Sequence, residues 1–234
     1  MEPEPKSSLD YGTIGRRIRD RRKKLGLSAA ELAERAGVAR YTVVRLEQGK
    51  ATTKASLAKI RRGLGLFTDQ MTRPYEVGPF AVHRSAETRW SVALPKATYQ
   101  KQVENDDPIH VDEEAERRRL GNLGFQPFFT AVLGTELSEG VSSHALMEFH
   151  RASWVDQHSG EEFIYCLRGS ITITVDGTPC QLEEGDAMSF DGRLPHQYAP
   201  THELKPADPP VLILIVVSHR PGEKAIIKKP REPR

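Results

Sequence analysis

Two kinds of apolar spacing divide this 234-residue chain. From Asp10 to Leu66 apolar positions recur at helical spacing, with glycines as punctuation. Ile14, Ile18 and Leu25 share one stripe with Arg21 or Arg22, and Gly26 supplies a stop. Ser28 with Glu31 three residues later forms a capping box ahead of Leu32 and Ala33, and Gly37 ends that helix. The spacing predicts a third helix over Arg40–Gln48, stopped by Gly49, and a fourth over Lys54–Gly63. From Phe125 onward the pattern is that of strands. Ile171–Val175 alternates, Asp176-Gly177 is a pair suited to a two-residue hairpin turn, and Thr178–Leu182 returns. The unbroken apolar run Val211–Val217 reads as a buried strand, far short of the ~20 residues needed to span a membrane. Many short strands between Gly/Asp corners such as Glu184-Gly185-Asp186 indicate a barrel or sandwich.

The stretch between is mixed. Charged runs at Glu104–Asp107 and Glu113–Arg119 predict solvated loop or short helix. Residues 1–8 and the basic tail Lys224–Arg234 read as disordered. With 38% hydrophobic and 28% charged residues the composition is globular. The start lacks the basic-then-apolar pattern of a signal peptide, which implies the cytoplasm and no membrane partner. Cys166 and Cys180 then read as small core residues.

Charge is segregated. Residues 1–67 carry 16 Lys and Arg against 7 Asp and Glu, whereas residues 68–234 carry 18 against 25. A basic first third on an acidic remainder directs a polyanion to the first third alone.

Within that third, Ser28–Gly49 suits two helices joined by a tight turn, the first bracing and the second entering a major groove. Leu32, Ala33 and Ala36, then Val43, Val44 and Leu46, supply inner faces. The segments Ile14–Arg19, Leu27–Val38 and Arg45–Lys50 together resemble the Xre/phage-repressor class of helix-turn-helix domains over about residues 11–66. The resemblance implies double-stranded DNA as partner, with Arg40, Tyr41 and Arg45 facing base edges and Thr42, Gln48 and Lys50 on phosphate or sugar. Ala29 departs from it, since many members carry Gln there.

A second resemblance lies in His158–Tyr165 with Arg168-Gly169, and in Gly185–Phe190 with Leu194-Pro195-His196. These resemble the two sequence blocks of the cupins, double-stranded β-helix barrels with an internal cavity, over roughly residues 125–218. The fold class expected is therefore α + β in two domains: an all-α helix-turn-helix bundle over 10–67, a linker and barrel-associated segment over 68–124, and an all-β cupin barrel over 125–220. Metal-binding cupins place ligands at the positions of Asp156, His158, Glu162 and His196. Asp156 stands where a His is usual. His158, Glu162 and His196 remain as a two-His-one-carboxylate set, which suits one divalent metal (Fe, Zn, Ni or Mn). A metal-free polar cluster lining an effector cavity is the competing reading. Tyr165 and Tyr198 either line that cavity or pack outside it.

Two functions follow from these resemblances. The first is a homodimeric transcriptional regulator, not an enzyme, whose barrel senses a small-molecule effector and changes DNA affinity. The second is a mononuclear non-haem iron enzyme similar to the hydroxypropylphosphonate epoxidases, which also join a helix-turn-helix-like domain to such a barrel.

Overall fold

The computed structural model describes residues 10–66, 70, 79–92, 109–135, 137 and 140–219. The lead-in, the Glu104–Asp107 run and the basic tail lie outside the described residues. Four helices open the chain: α1 Tyr11–Lys24, α2 Ala29–Ala36, α3 Arg40–Glu47 and α4 Lys54–Gly63. Local chemistry accounts for their ends. The capping box forms, with Glu31 N–H donating to Ser28 Oγ and Ser28 N–H to Glu31 Oε2. Gly37 closes α2 at φ 60°, a left-handed conformation that a side chain disfavours. Ile14, Ile18, Leu32, Val43, Leu46, Leu57 and Ile60 fill the shared core. Val44 is only partly buried, so α3 turns a narrower apolar face inward than its sequence suggests.

Arg21, not Arg22, completes the α1 stripe. Its guanidinium is buried and donates to the carbonyls of Gly140 (3.2 Å) and Val141 (2.9 Å) at the barrel's edge. Arg22 instead pairs with Glu47. Arg17 and Arg61 are also buried, donating to the carbonyls of Gln70 and Leu66. Part of the first third's positive charge therefore serves its own packing.

Two antiparallel sheets follow. With β1 Trp90–Val92, β2 Phe128–Leu133, β3 Ser142–Phe149, β4 Glu161–Arg168, β7 Ala187–Asp191 and β9 Val211–Ser218, the larger has the order β1-β2-β3-β9-β4-β7. The smaller is β6-β5-β8, from β5 Ile171–Val175, β6 Thr178–Leu182 and β8 His196–Pro200. Phe128, Phe149, Ile164, Ile173, Ile213 and Ile215 meet between them. The β5–β6 turn carries positive φ at Asp176 (48°) and Gly177 (81°), as its sequence requires. Cys166 is in the core, but Cys180 is exposed, because β6 shows solvent every position before Leu182. The Glu113–Arg119 run forms helix α5, Glu114–Asn122. It is not simply solvated. Arg117 reaches inward to Glu148 on β3 (3.1 and 3.2 Å), which also takes His150 Nε2 at 2.9 Å, and this buried cluster holds α5 on the outer face of the large sheet.

Candidate nucleic-acid interface and metal centre

The turn at Gly37 sets α3 across the bundle with Val43 and Leu46 inward, so its opposite side is left to solvent. Arg40, Tyr41, Gln48 and Lys50 are exposed, Tyr41 to 69%, while Thr42 and Arg45 are half-buried. The Arg45 guanidinium stacks 5.6 Å from the centre of the Tyr41 ring, which fixes both side chains on one face. This is a donor-rich surface held by a rigid helix, and such a surface can hydrogen-bond to base edges and phosphates.

In the barrel, three side chains meet from two sides. Glu162 comes from β4, His196 opens β8, and His158 lies in the segment that leads into β4. Backbone bonds hold these pieces in register: His158 N–H to Gly192 O (2.9 Å), Gly192 N–H to Gly160 O (2.9 Å), and a mutual pair between Asp156 and His196 (2.8 and 3.0 Å). The Nε2 atoms of His158 and His196 lie 3.2 and 3.5 Å from Glu162 Oε2, and all three ligand atoms fall within 4.8 Å of one another. Each imidazole has its Nδ1 beside a carbonyl, Ser159 at 3.1 Å and Leu194 at 2.9 Å. A carbonyl only accepts, so Nδ1 carries hydrogen and, in the neutral ring, Nε2 keeps a lone pair for a metal. Glu162 Oε2 is buried without a hydrogen bond of normal geometry, and so is the Tyr198 hydroxyl. Three ligand-type atoms therefore converge on a place that a cation, whether a metal or a proton, would satisfy.

The charges agree with that geometry. Burial alone would lower the His158 pKa, but the carboxylate of Glu162 and the charge of Asp156 outweigh it and raise it to about 9. Burial lowers the pKa of His196 despite the charge of Glu162. Burial would raise Glu162, yet the two imidazoles hold it below the usual carboxylate range. Burial and the same carboxylate push the Tyr198 phenol well above its ordinary value. The cluster can hold a divalent metal; without one, a proton on His158 takes the cation's place.

Comparison with known proteins gives two domain matches, Helix-turn-helix over residues 18–66 and Cupin domain over residues 145–207. An uncharacterized HTH-type transcriptional regulator of Methanothermobacter thermautotrophicus is 51% identical over 49 residues, 20% of this chain and 71% of that protein. The chain belongs to the HTH-type transcriptional regulators. A putative HTH-type regulatory protein of Archaeoglobus fulgidus is 45% identical over 51 residues, 22% of this chain but only 16% of its own length. Several solved structures match along most of the regulator, two of them as follows. An HTH_3 family transcriptional regulator from Vibrio cholerae does so at 18% identity and TM-score 0.40, over 91% of this chain and 98% of that one. Hydroxypropylphosphonic acid epoxidase from S. wedmorenis does so at 16% identity and TM-score 0.40, over 90% and 100%.

The regulator brings together three of the four ligand positions expected from its sequence. Asp156 is not among them. It is exposed, and its carboxylate accepts the Gln157 N–H at 2.8 Å, so its side chain acts on the cluster only through its charge. Tyr198 lines the site, whereas Tyr165 faces outward at 37% exposure. One residue beside the regulator's site went unrecognised. His219, directly after β9, is buried between the two domains. A methyl group on Gly160, two residues from Glu162, would lie 3.1 Å from its Nδ1, and one on Gly65, after α4, would collide with its Nε2. His219 thus touches both the turn that carries the cluster and the end of the helical bundle. Nothing in its sequence neighbourhood, between a strand end and a Pro-Gly, marks it for that place.

Proposed function

We propose that this cytoplasmic regulator binds operator DNA as a homodimer through the outer face of α3, and is not an enzyme. Its His158–Glu162–His196 cluster holds one divalent metal, Fe, Zn, Ni or Mn, whose occupancy sets DNA affinity alone or together with a small-molecule effector. The convergence of three ligand atoms, from buried Glu162 and His196 and half-buried His158, carries the metal part of this reading. The metal supplies positive charge, and three protein donors leave positions open for water or for an effector's oxygen atoms. Arg40, Tyr41 and Arg45 read bases, while Thr42, Gln48 and Lys50 fix register on the backbone. The joint at His219 supports coupling, because a shift of the His158–Glu162 turn bears on a ring wedged against Gly65. An effector changes affinity only if it binds the DNA-competent and incompetent arrangements unequally, and this joint gives the two domains a shared geometry to bias.

Protein purified without chelator or metal-binding tag should contain about one equivalent of metal per chain. Stripping that metal should change the affinity for operator DNA by at least about fivefold, the low end of ordinary coupling energies. Stoichiometric metal with unchanged DNA affinity sinks the coupling. Metal-free parent protein sinks the metal. Iron-dependent oxygen consumption without any effect on DNA binding would replace the regulator reading with the enzyme one.

A further inference from the structure

Burial along the large sheet is uneven, and its sequence is not. Val211–Val217 is apolar at every position, the composition of a strand covered on both faces. Only the inward row, Val211, Ile213, Ile215 and Val217, is buried; Leu212, Leu214 and Val216 point outward and stay half-exposed. The neighbouring β4 repeats this, with Ile164 and Cys166 buried while Phe163, Tyr165 and Leu167 are 37–38% exposed. The outer face is closed over β2 and β3, where α5 sits and Phe129 and Ala131 are fully buried. Over β9 and β4 the outward row is just as apolar and stays open.

We infer that the outer face of β9 and β4 is where a second copy of this chain docks, making the barrel the dimerisation domain. The inference rests on the reading of the protein as a two-fold DNA-binding regulator and names the surface that reading requires. Cross-strand pairs Phe163–Val216 and Tyr165–Leu214 form a patch without a charge at its centre. Charges stand only at the ends of β4, Glu161 beside Asp191 and Arg193 at one and Arg168 at the other, so both signs are present at the rim. An isologous contact must complement itself, and an uncharged centre lets two net-acidic barrels approach where a charged one would not. β9 and β4, eight residues each, with the five-residue β7 beside them, give an open face about 26 Å long and about 14 Å wide, roughly 330 Å² in projection once the shorter β7 is allowed for. That is the size of an apolar centre, with the charged rim supplying the rest of the about 800 Å² per partner in a standard interface. Pairing through the barrels also leaves both α3 faces free for DNA.

The test is multi-angle light scattering of the full chain across a dilution series, with the parent, Tyr165→Arg and a Phe163→Ser/Tyr165→Ser double variant. Both side chains point away from the core, and unchanged thermal unfolding of the monomeric form confirms folding. The parent should be a dimer. Tyr165→Arg should weaken association at least about 100-fold, because each substitution enters a two-fold contact twice. The uncharged double variant should do so at least tenfold. Oxidative footprinting of Tyr165 in the parent gives a readout free of any variant, and its protection should follow the dimer fraction. A parent dimer that both variants leave intact, with Tyr165 unprotected, overturns this surface but spares the homodimer. A monomeric parent overturns both. If Tyr165 is protected at every dilution and truncation after residue 219 exposes it, the chain's own tail is the occupant and the inference fails.

Discussion

The face of α3 and the cluster in the barrel hold similar numbers of polar side chains under opposite conditions. On α3 and just after it, Arg40, Tyr41, Gln48 and Lys50 stand in water, each positioned by a helix or helix end whose stability does not depend on it. In the barrel, Glu162 and His196 are buried and His158 half-buried, and the three depend on one another for charge balance. Loss of one α3 side chain should therefore be graded and local, whereas loss of one cluster member should leave the other two as uncompensated acceptors. Variants of the two regions put that contrast to a direct test.

The largest effect is expected at Glu162. Glu162→Ala should reduce bound metal below detection, a loss in affinity beyond about 100-fold, since the set's only carboxylate goes. Glu162→Gln keeps the volume and should lose metal too, which separates charge from shape. In either variant the imidazole of His158 should titrate well below about 9, because the carboxylate that raises it is gone. Metal analysis with imidazole NMR titration checks both. Stoichiometric metal in Glu162→Ala would show that the cluster is not interdependent.

Next comes the joint. Burial, and then the charges of Arg21, His158 and Arg35, push the His219 imidazole down to about 3. Its ordinary value is 6.5, so between these limits the unfolded chain binds the extra proton and the folded chain does not. Stability at this residue is complete above about pH 6.5 and is lost as pH falls toward 3, on the order of 2–3 kcal/mol by about pH 4.5. His219→Leu should flatten that acid limb in denaturant titrations of metal-stripped protein. A parallel limb in both proteins would mean that His219 is protonated in place.

These two regions also differ in how much of them the sequence discloses. Helix ends depend on neighbours three or four residues away, so Ser28 with Glu31, Gly37 and the span of α4 are all legible. The cluster is legible through its two sequence blocks, but only as a set of ligand types. That Asp156 turns away and Tyr198 turns in depends on a bridge between residues forty apart, which leaves no local trace. The Arg117–Glu148–His150 cluster is the sharpest miss. A charged run normally means a solvated face, and only the packing of α5 on β3 reveals that one of its arginines is buried. His219 stayed hidden for the same reason, since its neighbours come from the distant Gly160 turn and from Gly65 in the other domain.

On the exposed side, Arg40→Ala should cost about 1–3 kcal/mol on the operator and relax preference at one base pair. Lys50→Ala should weaken cognate and unrelated DNA alike and reduce the salt slope by about one. Binding titrations across salt and sequence distinguish the two. An Arg40→Ala footprint with unchanged sequence preference would remove that residue from base reading and leave Arg45 and Tyr41 to carry it.

The smallest effect, and the one that sharpens the contrast most, is expected at Asp156. Its backbone makes both bonds to His196, and alanine keeps them. What alanine removes is one exposed carboxylate that accepts from Gln157 and acts on His158, His196 and Tyr198 through space. Charges reaching across solvent are screened within about 8–10 Å at physiological salt, so little of that influence survives there. Asp156→Ala should therefore keep its metal, with affinity lowered less than about fivefold at low salt and nearly unchanged at high salt. A salt-independent loss comparable with that of Glu162→Ala would mean that the carboxylate swings in as a fourth ligand. The buried cluster would then extend to the surface, and the division between interdependent interior and independent exterior would fail at this residue.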